Sequence, residues 1–303
     1  MKVGIIGAGM VGSAAGNALA LRGLGRELVF VDKDTDKAAA QAEDIAVSSL
    51  AGRPLEVSAG DYKNLAGAAV VVLAPGVSQV PHQSRLEMVE NNAAILREVV
   101  PRVLTVAPDA LLVVATAPVD AMTSLVVRLA GNPNRVMGTG TVLETIRFRL
   151  SLAARLGVNR SHVHGFVIGE AGAGVIAWNG VDVAGMPLEQ HLSQRGMSLP
   201  PSERLAIADE ALRAGSRILE GKGMRNYGAG AVVARIVEAI LEDRRAVMTV
   251  SALDPSTGVC HALPRIIGRD GVIATLRPEL SSEESIALEA RFEDLRRTEA
   301  MLK

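Results

Sequence analysis

The chain has 303 residues, of which 49% are hydrophobic and only 2% aromatic, and its formal net charge is −1. That balance excludes a general attraction to nucleic acid or to an anionic membrane, and no apolar run reaches the length needed to span a bilayer. The length suits about two domains, with cores built from Ala, Val, Leu and Ile, as in a buried parallel sheet under Ala-rich helices.

The chain opens with an apolar run at 3–6, then Gly7-Ala8-Gly9-Met10-Val11-Gly12, then a helical pattern over 10–22. A second apolar run at 28–31 ends on Asp32, twenty residues after the last of these glycines. This is a βαβ unit with a Gly-x-Gly-x-x-Gly turn. Gly7 permits the tight turn, Gly9 lets backbone approach a pyrophosphate, and Gly12 lets strand and helix pack closely. The helix that Met10 and Val11 open offers free N–H groups and a positive dipole to the phosphates. Asp32 can accept from both ribose hydroxyls and would repel a 2′-phosphate, so the cofactor is NAD rather than NADP. Lys2, the apolar run and Ala18-Leu19-Ala20 outline a signal peptide, but three glycines and Ser13 break the apolar core such a peptide needs.

Further strands are predicted at 55–57, 70–73, 111–115 and 135–137, alternating with helices at 35–48, 86–106 and 120–129. Several strands are apolar throughout, as strands buried on both faces should be. With the first two they make six strands of a Rossmann doubly wound parallel sheet. After about residue 140 the pattern changes to a helix at 142–156, a strand at 163–168, and helices at 201–219, 230–242 and 281–302. Strands at 246–252, 258–263 and 271–276 have the look of antiparallel pairs. The fold class is therefore α/β, with an NAD-binding Rossmann domain over 1–140 and an α+β substrate domain over 141–303, closely packed. The single cysteine, Cys260, rules out an intrachain disulfide, points to a reducing cytoplasm, and reads as a buried small hydrophobe rather than a nucleophile. The five histidines show no metal-ligand spacing.

With the turn and Asp32 in place, other segments become legible. Gln79-Val80-Pro81-His82-Gln83-Ser84-Arg85-Leu86 resembles the mobile active-site loop of the lactate/malate dehydrogenase family. Thr116-Ala117-Pro118-Val119-Asp120, the run Gly140 to Arg149, Gly169-Glu170-Ala171-Gly172, and Gly221-Lys222-Gly223 with Tyr227-Gly228 are similar to later motifs of that family. So are Thr249-Val250-Ser251 and Leu263-Pro264-Arg265, so the resemblance spans the chain. It implies hydride transfer between NAD and the 2-carbon of a small anionic hydroxy or oxo acid. It also implies a homodimer or homotetramer. On the same resemblance Arg85 polarises the reacting group, Arg147 grips the carboxylate as a bidentate fork, and Gln79 marks lactate-type rather than malate-type substrates.

The family's catalytic His is replaced by Ala171, the segment after it is one residue shorter, and the nicotinamide-side Asn is Ala117. The Asp that would orient the His is Glu144, and a pocket Thr is Arg225. General acid catalysis is worth about 10²–10⁴ in rate, so ordinary lactate dehydrogenase activity should be weak or absent. Three readings follow. In the first, Glu144, one methylene longer than Asp, enters the vacated space and acts as the acid or base, unless it only neutralises Arg147 or Arg225. Arg225 would then add a second cation to the pocket and suit a dianionic substrate. In the second, the substrate is a 2-imino acid, which needs no strong acid but would be repelled by Arg85 and Arg225. In the third, the chain is a non-catalytic NAD-binding sensor. His82 on the loop is a further candidate for the closed site. His164 is expected to face the core or an interface.

Overall fold

A computed structural model describes residues 1–49, 54–77 and 85–302, the side chains of residues 85 and 86 excepted. The first half runs β1 (Lys2–Ile6), α1 (Met10–Leu21), β2 (Glu27–Val31), α2 (Thr35–Ser48), β3 (Glu56–Ala59), β4 (Ala68–Leu73), α3 (Arg85–Val106), β5 (Leu111–Val114), α4 (Val119–Ala130) and β6 (Val136–Gly138). The second begins with α5 (Val142–Leu156), β7 (Val163–His164), β8 (Val167–Ile168), β9 (Val175–Ile176), β10 (Asp182–Val183), β11 (Met186–Pro187), α6 (Leu188–Gln194), α7 (Pro201–Leu212) and α8 (Ala214–Lys222). It continues with α9 (Tyr227–Leu241), β12 (Ala246–Met248), β13 (Ser251–Asp254), β14 (Val259–Ala262), β15 (Arg265–Gly268), β16 (Gly271–Thr275) and α10 (Ser282–Ala300).

Strands β3-β2-β1-β4-β5-β6 are parallel neighbours in that order, the doubly wound arrangement. Their unbroken apolar runs serve two cores. Val3, Ile5, Phe30, Val70, Val72 and Val113 face α1, α2 and α9, whereas Ile6, Val29, Val71, Leu73, Leu112 and Val114 face α3 and α4. Successive strand residues point to opposite faces, so every position of such a strand must be apolar.

Three predicted elements divide. The strand at 163–168 is two short strands, β7 pairing with β10 and β8 with β9. Gly165 between them lies so close to the core that a Cβ there would meet Phe148 at 2.8 Å. The helix at 201–219 breaks at Arg213, because α7 buries Ile207 and Ala211 in the core under α5 while α8 turns to line a cavity. The strand at 246–252 is β12, paired with β15, and β13, which pairs with β14 and, antiparallel, with β6. The main sheet thus runs on into the second half of the chain, and α9 from that half covers one of its faces. No helix among the described residues is long and apolar enough to cross a membrane.

Candidate active site

The glycine turn lies at the C-terminal edge of β1. Gly7 adopts φ +96°, a conformation that disfavours side chains, and a Cβ on it would lie 2.6 Å from Ala74 O at the end of β4. A Cβ on Gly12 would lie 1.9 Å from Gly7 O, which is why only glycine lets α1 start so close to the turn. Gly9 is different: a Cβ there would meet nothing within 4 Å. It caps α1 with no side-chain bond, and no acid occupies the first turn. The N–H groups of Met10, Val11 and Gly12 therefore have no intrahelical acceptor, and the space beside Gly9 is open. A dinucleotide pyrophosphate fits that cradle on charge and on room. Asp32 is fastened beside it, Oδ2 accepting from Ala8 N at 2.6 Å and Oδ1 from Asp34 N at 3.0 Å. A carboxylate has about four lone-pair sites, so acceptor capacity remains for a ribose.

The loops after β4 and β5 are joined by Asn92 of α3, a residue the sequence reading passed over. Its Oδ1 accepts from Val77 N at 2.9 Å and its Nδ2 donates to Ala117 O at 2.7 Å. A buried Asn on the apolar face of a helix, among Val89, Ala93 and Leu96, is the signal that could have found it. Gln79 and His82 lie outside the described residues. Arg85 begins α3, and its side chain lies outside them too.

The substrate end is built on α5. Thr141 N donates to Thr249 O at 3.0 Å, and Thr145 Oγ1 both contacts Thr249 Oγ1 at 3.0 Å and accepts from Val167 N at 3.0 Å. The helix is thereby locked to the segment between β12 and β13 and to β8. Glu144 and Arg147, three residues apart on one face of α5, line a cavity of about 410 Å³ with Gly172, Gly215, Lys222 and Arg225. Arg147 and Arg225 converge over Gly215, where a Cβ would sit 3.1 Å from Arg225 Nη1 and 4.0 Å from Arg147 Nη1. Burial pulls the Arg147 guanidinium below its ordinary pKa, with Glu144 opposing and Arg225 adding to the shift. Glu144 is buried, and its Oε2 has no hydrogen-bond partner. Burial raises its pKa, against the pull of its own backbone N–H, Arg147, the Gly172 N–H and Arg225.

Behind this wall stands Asp120 of α4, 2% exposed, which the sequence reading noted only as part of a motif. Its Oδ2 accepts from Ala171 N at 2.8 Å and its Oδ1 has no partner. Burial pushes its carboxyl up to about 7, opposed by Ser251 and the Ala171 N–H and reinforced by Glu170 and Glu144. The position where the resemblance places a catalytic His thus holds Ala171, whose N–H donates to the buried Asp120 carboxyl.

The remaining candidates fall elsewhere. His164 is exposed, contrary to a core-facing reading, because β7 turns Val163 inward and His164 out. It borders a second cavity of about 590 Å³ that also carries Arg22, Arg149, Arg160 and Arg235. His261 is buried against Asp254 Oδ2 at 3.2 Å. Cys260 is buried, its thiol pushed up to about 12, so it is no nucleophile at neutral pH.

Comparison with known proteins accords with this geometry. The lactate/malate dehydrogenase NAD binding domain matches residues 1–138, and the alpha/beta C-terminal domain of the same family matches residues 141–300. The L-lactate dehydrogenase of Deinococcus radiodurans is 47% identical over 291 residues, covering 95% of each chain. That of Thermus aquaticus is 46% identical over 302 residues, covering 98% of this chain and 97% of its own. Among solved structures, the minor L-lactate dehydrogenase from Enterococcus mundtii in its ligands-bound form superposes with a TM-score of 0.95 at 33% identity, over 100% of this chain and 98% of that one. The chain belongs to the lactate/malate dehydrogenase family and is an NAD-dependent dehydrogenase with a Rossmann cofactor domain and an α/β C-terminal domain.

Proposed function

We propose that this dehydrogenase works at the 2-carbon of a small 2-hydroxy or 2-oxo acid with Glu144 in the proton-transfer role that the family gives to histidine. The observation that carries this reading is Glu144 Oε2, buried and without a partner on the wall of the cavity that also holds Arg147. NAD, when bound, supplies the hydride acceptor or, reduced, the donor. Arg147 holds the substrate carboxylate, and on the family resemblance Arg85 polarises the reacting oxygen and Gln79 marks a lactate-type substrate. Asp32 and the turn from Gly7 to Gly12, with the N–H groups of Met10 and Val11, hold the nucleotide. Burial keeps a proton on Glu144 nearer to neutral pH than an exposed carboxyl would, so oxo acids are reduced by a carboxylic acid rather than an imidazolium. Ordinary L-lactate dehydrogenase activity is correspondingly weak.

Arg225, with Lys222 on the same wall, favours a second anionic group on the substrate. The same cations disfavour a cationic 2-imino acid. The working division is 1–140 for cofactor and 141–303 for substrate, in a cytoplasmic homodimer or homotetramer.

The test is NADH oxidation with a 2-oxo monoacid, a 2-oxo dicarboxylate, and each with ammonium, alongside NADH binding by fluorescence. Reduction of an oxo acid, lowered about 10²–10⁴-fold in Glu144→Gln with NADH binding kept, is the expected result. Full activity in Glu144→Gln would remove the proposed proton donor. Turnover only with ammonium would favour the imino acid. NADH binding with silence across the panel would favour a sensor.

A further inference from the structure

The two halves of a dinucleotide reach opposite ways from its pyrophosphate. With the adenosine ribose on Asp32 after β2 and the pyrophosphate on the turn after β1, the nicotinamide half crosses the ends of β4 and β5, the next strands in the sheet. Those ends lead into residues 74–77 and 115–118. The first of these loops is held in two independent ways. Its start is fixed to the sheet: Ala74 N donates to Ile6 O at 2.9 Å, and a Cβ on Gly7 would lie 2.6 Å from Ala74 O and 2.8 Å from Pro75 Cα. Its far end is fixed by side chains. Thr116 Oγ1 donates to Pro75 O at 2.7 Å, Val77 N donates to Asn92 Oδ1 at 2.9 Å, and Asn92 Nδ2 donates to Ala117 O at 2.7 Å. Gly76 sits inside this ring, where a Cβ would lie 3.0 Å from Asn92 Oδ1 and 3.4 Å from Thr116 Cγ2.

Asn92 and Thr116 are both buried. The Asn92 amide can face only one way, because the reverse would set NH2 against N–H and oxygen against oxygen. Packing alone would favour an apolar side chain there, as at Val89, Ala93 and Leu96 on the same helix face. Position 117 is also where the family resemblance puts an Asn beside the nicotinamide. With Ala117 in its place, that position offers the cofactor backbone and a methyl group, so where the backbone is held matters more.

We propose that Asn92 is a positioning residue for the nicotinamide half of the cofactor: by tying the loops after β4 and β5 together, it sets the floor on which that half lies. The adenosine half is left to Asp32 and the glycine turn. This rests on those cofactor residues as read above, and it is independent of which group supplies the proton.

The variant that tests it is Asn92→Leu, which keeps the branched shape and leaves Val77 N–H and Ala117 O without their partner. The probes are NADH and ADP, titrated by fluorescence and calorimetry. ADP carries the adenosine and both phosphates but no nicotinamide. NADH should bind about tenfold more weakly than to the parent, with ADP affinity unchanged. Asn92→Asp gives a second readout. A protonated carboxyl can accept from Val77 N and donate to Ala117 O, whereas a carboxylate can only accept and sets a negative charge against Ala117 O. Burial raises the pKa of such a carboxyl. Relative to the parent, Asn92→Asp should therefore keep NADH affinity at acid pH and lose it as pH rises through that pKa, while ADP affinity follows the parent throughout. Equal losses of NADH and ADP in Asn92→Leu would mean general loosening, and unchanged NADH affinity would mean that the loops hold without Asn92. Either overturns the proposal, as does an Asn92→Asp profile parallel to the parent's. If Asn92→Leu does not fold, the Asn92→Asp profile decides. A parent that binds neither probe fails differently, since it overturns the cofactor reading and this proposal with it.

Discussion

Arg147 and Arg225 meet over Gly215, but only Arg147 shares a face of α5 with Glu144, whose Oε2 has no partner. Its planar fork can hold a carboxylate by two parallel bonds, which a lysine ammonium cannot. Arg147→Lys should therefore raise KM for the oxo acid roughly tenfold to a hundredfold, since a hydrogen bond to a charged group is worth about 1.5–3 kcal/mol. NADH affinity should stay put, because the lining of the cavity that holds Arg147 includes none of the residues of the glycine turn. Titration with NADH fluorescence beside steady-state kinetics separates the two quantities, and a joint loss would count against a substrate-only role. The residues on which this site turns were readable in unequal measure. Arg147 and Glu144 sit inside a recognisable run, whereas Asp120 and Asn92 matter through what surrounds them, and a sequence does not display surroundings.

Helix α1 presents the cofactor turn, so its position has to be held from behind. It packs on α2 and, at closest approach, on α9: a Cβ added at Gly230 would lie 2.5 Å from Ala14 C and 2.7 Å from Ala15 N. On its other side Gly16 admits Phe30, where a Cβ would meet the ring at 2.3 Å. Backbone cannot yield as a side-chain tip can, so Gly230→Ala must push α1 and α9 apart. Overpacking of this kind costs about 1–3 kcal/mol. A lower melting temperature together with weaker NADH binding is the expected pair of effects, measured by thermal unfolding and fluorescence. Loss of stability with binding intact would mean that the turn does not depend on α9. Sequence patterning found α1 and α9 as helices but could not say that they touch, because Gly228 in the first turn of α9 lies 217 positions after Val11 in the first turn of α1.

Across the whole molecule the two halves are not separable bodies. β13 pairs with β6 and carries β14 with it, α9 covers the first core, and α10 reaches α4 through Ser124, which donates to Glu299. A chain cut after residue 140 would expose the edge of β6 and the apolar face that α9 covers, both routes to aggregation. Chemical unfolding of the full chain should show one cooperative transition, with fluorescence and circular dichroism coincident. A 1–140 fragment should not give soluble folded protein. Two separated transitions, or a stable NADH-binding fragment, would contradict the continuous sheet.

What the sequence determined by itself was everything governed by local pattern. The glycine spacing and Asp32 specify a cofactor turn, and the runs apolar on both faces specify a doubly wound sheet, because these signals arise within a few residues of one another. What only the tertiary structure decided was pairing across distance. It divided the strands at 163–168 and 246–252 between different sheets, joined β13 to β6, and put Asp120 against the backbone of Ala171. The reason is physical: burial and proximity set whether a carboxyl is an exposed anion or a proton carrier, and both are properties of the folded chain.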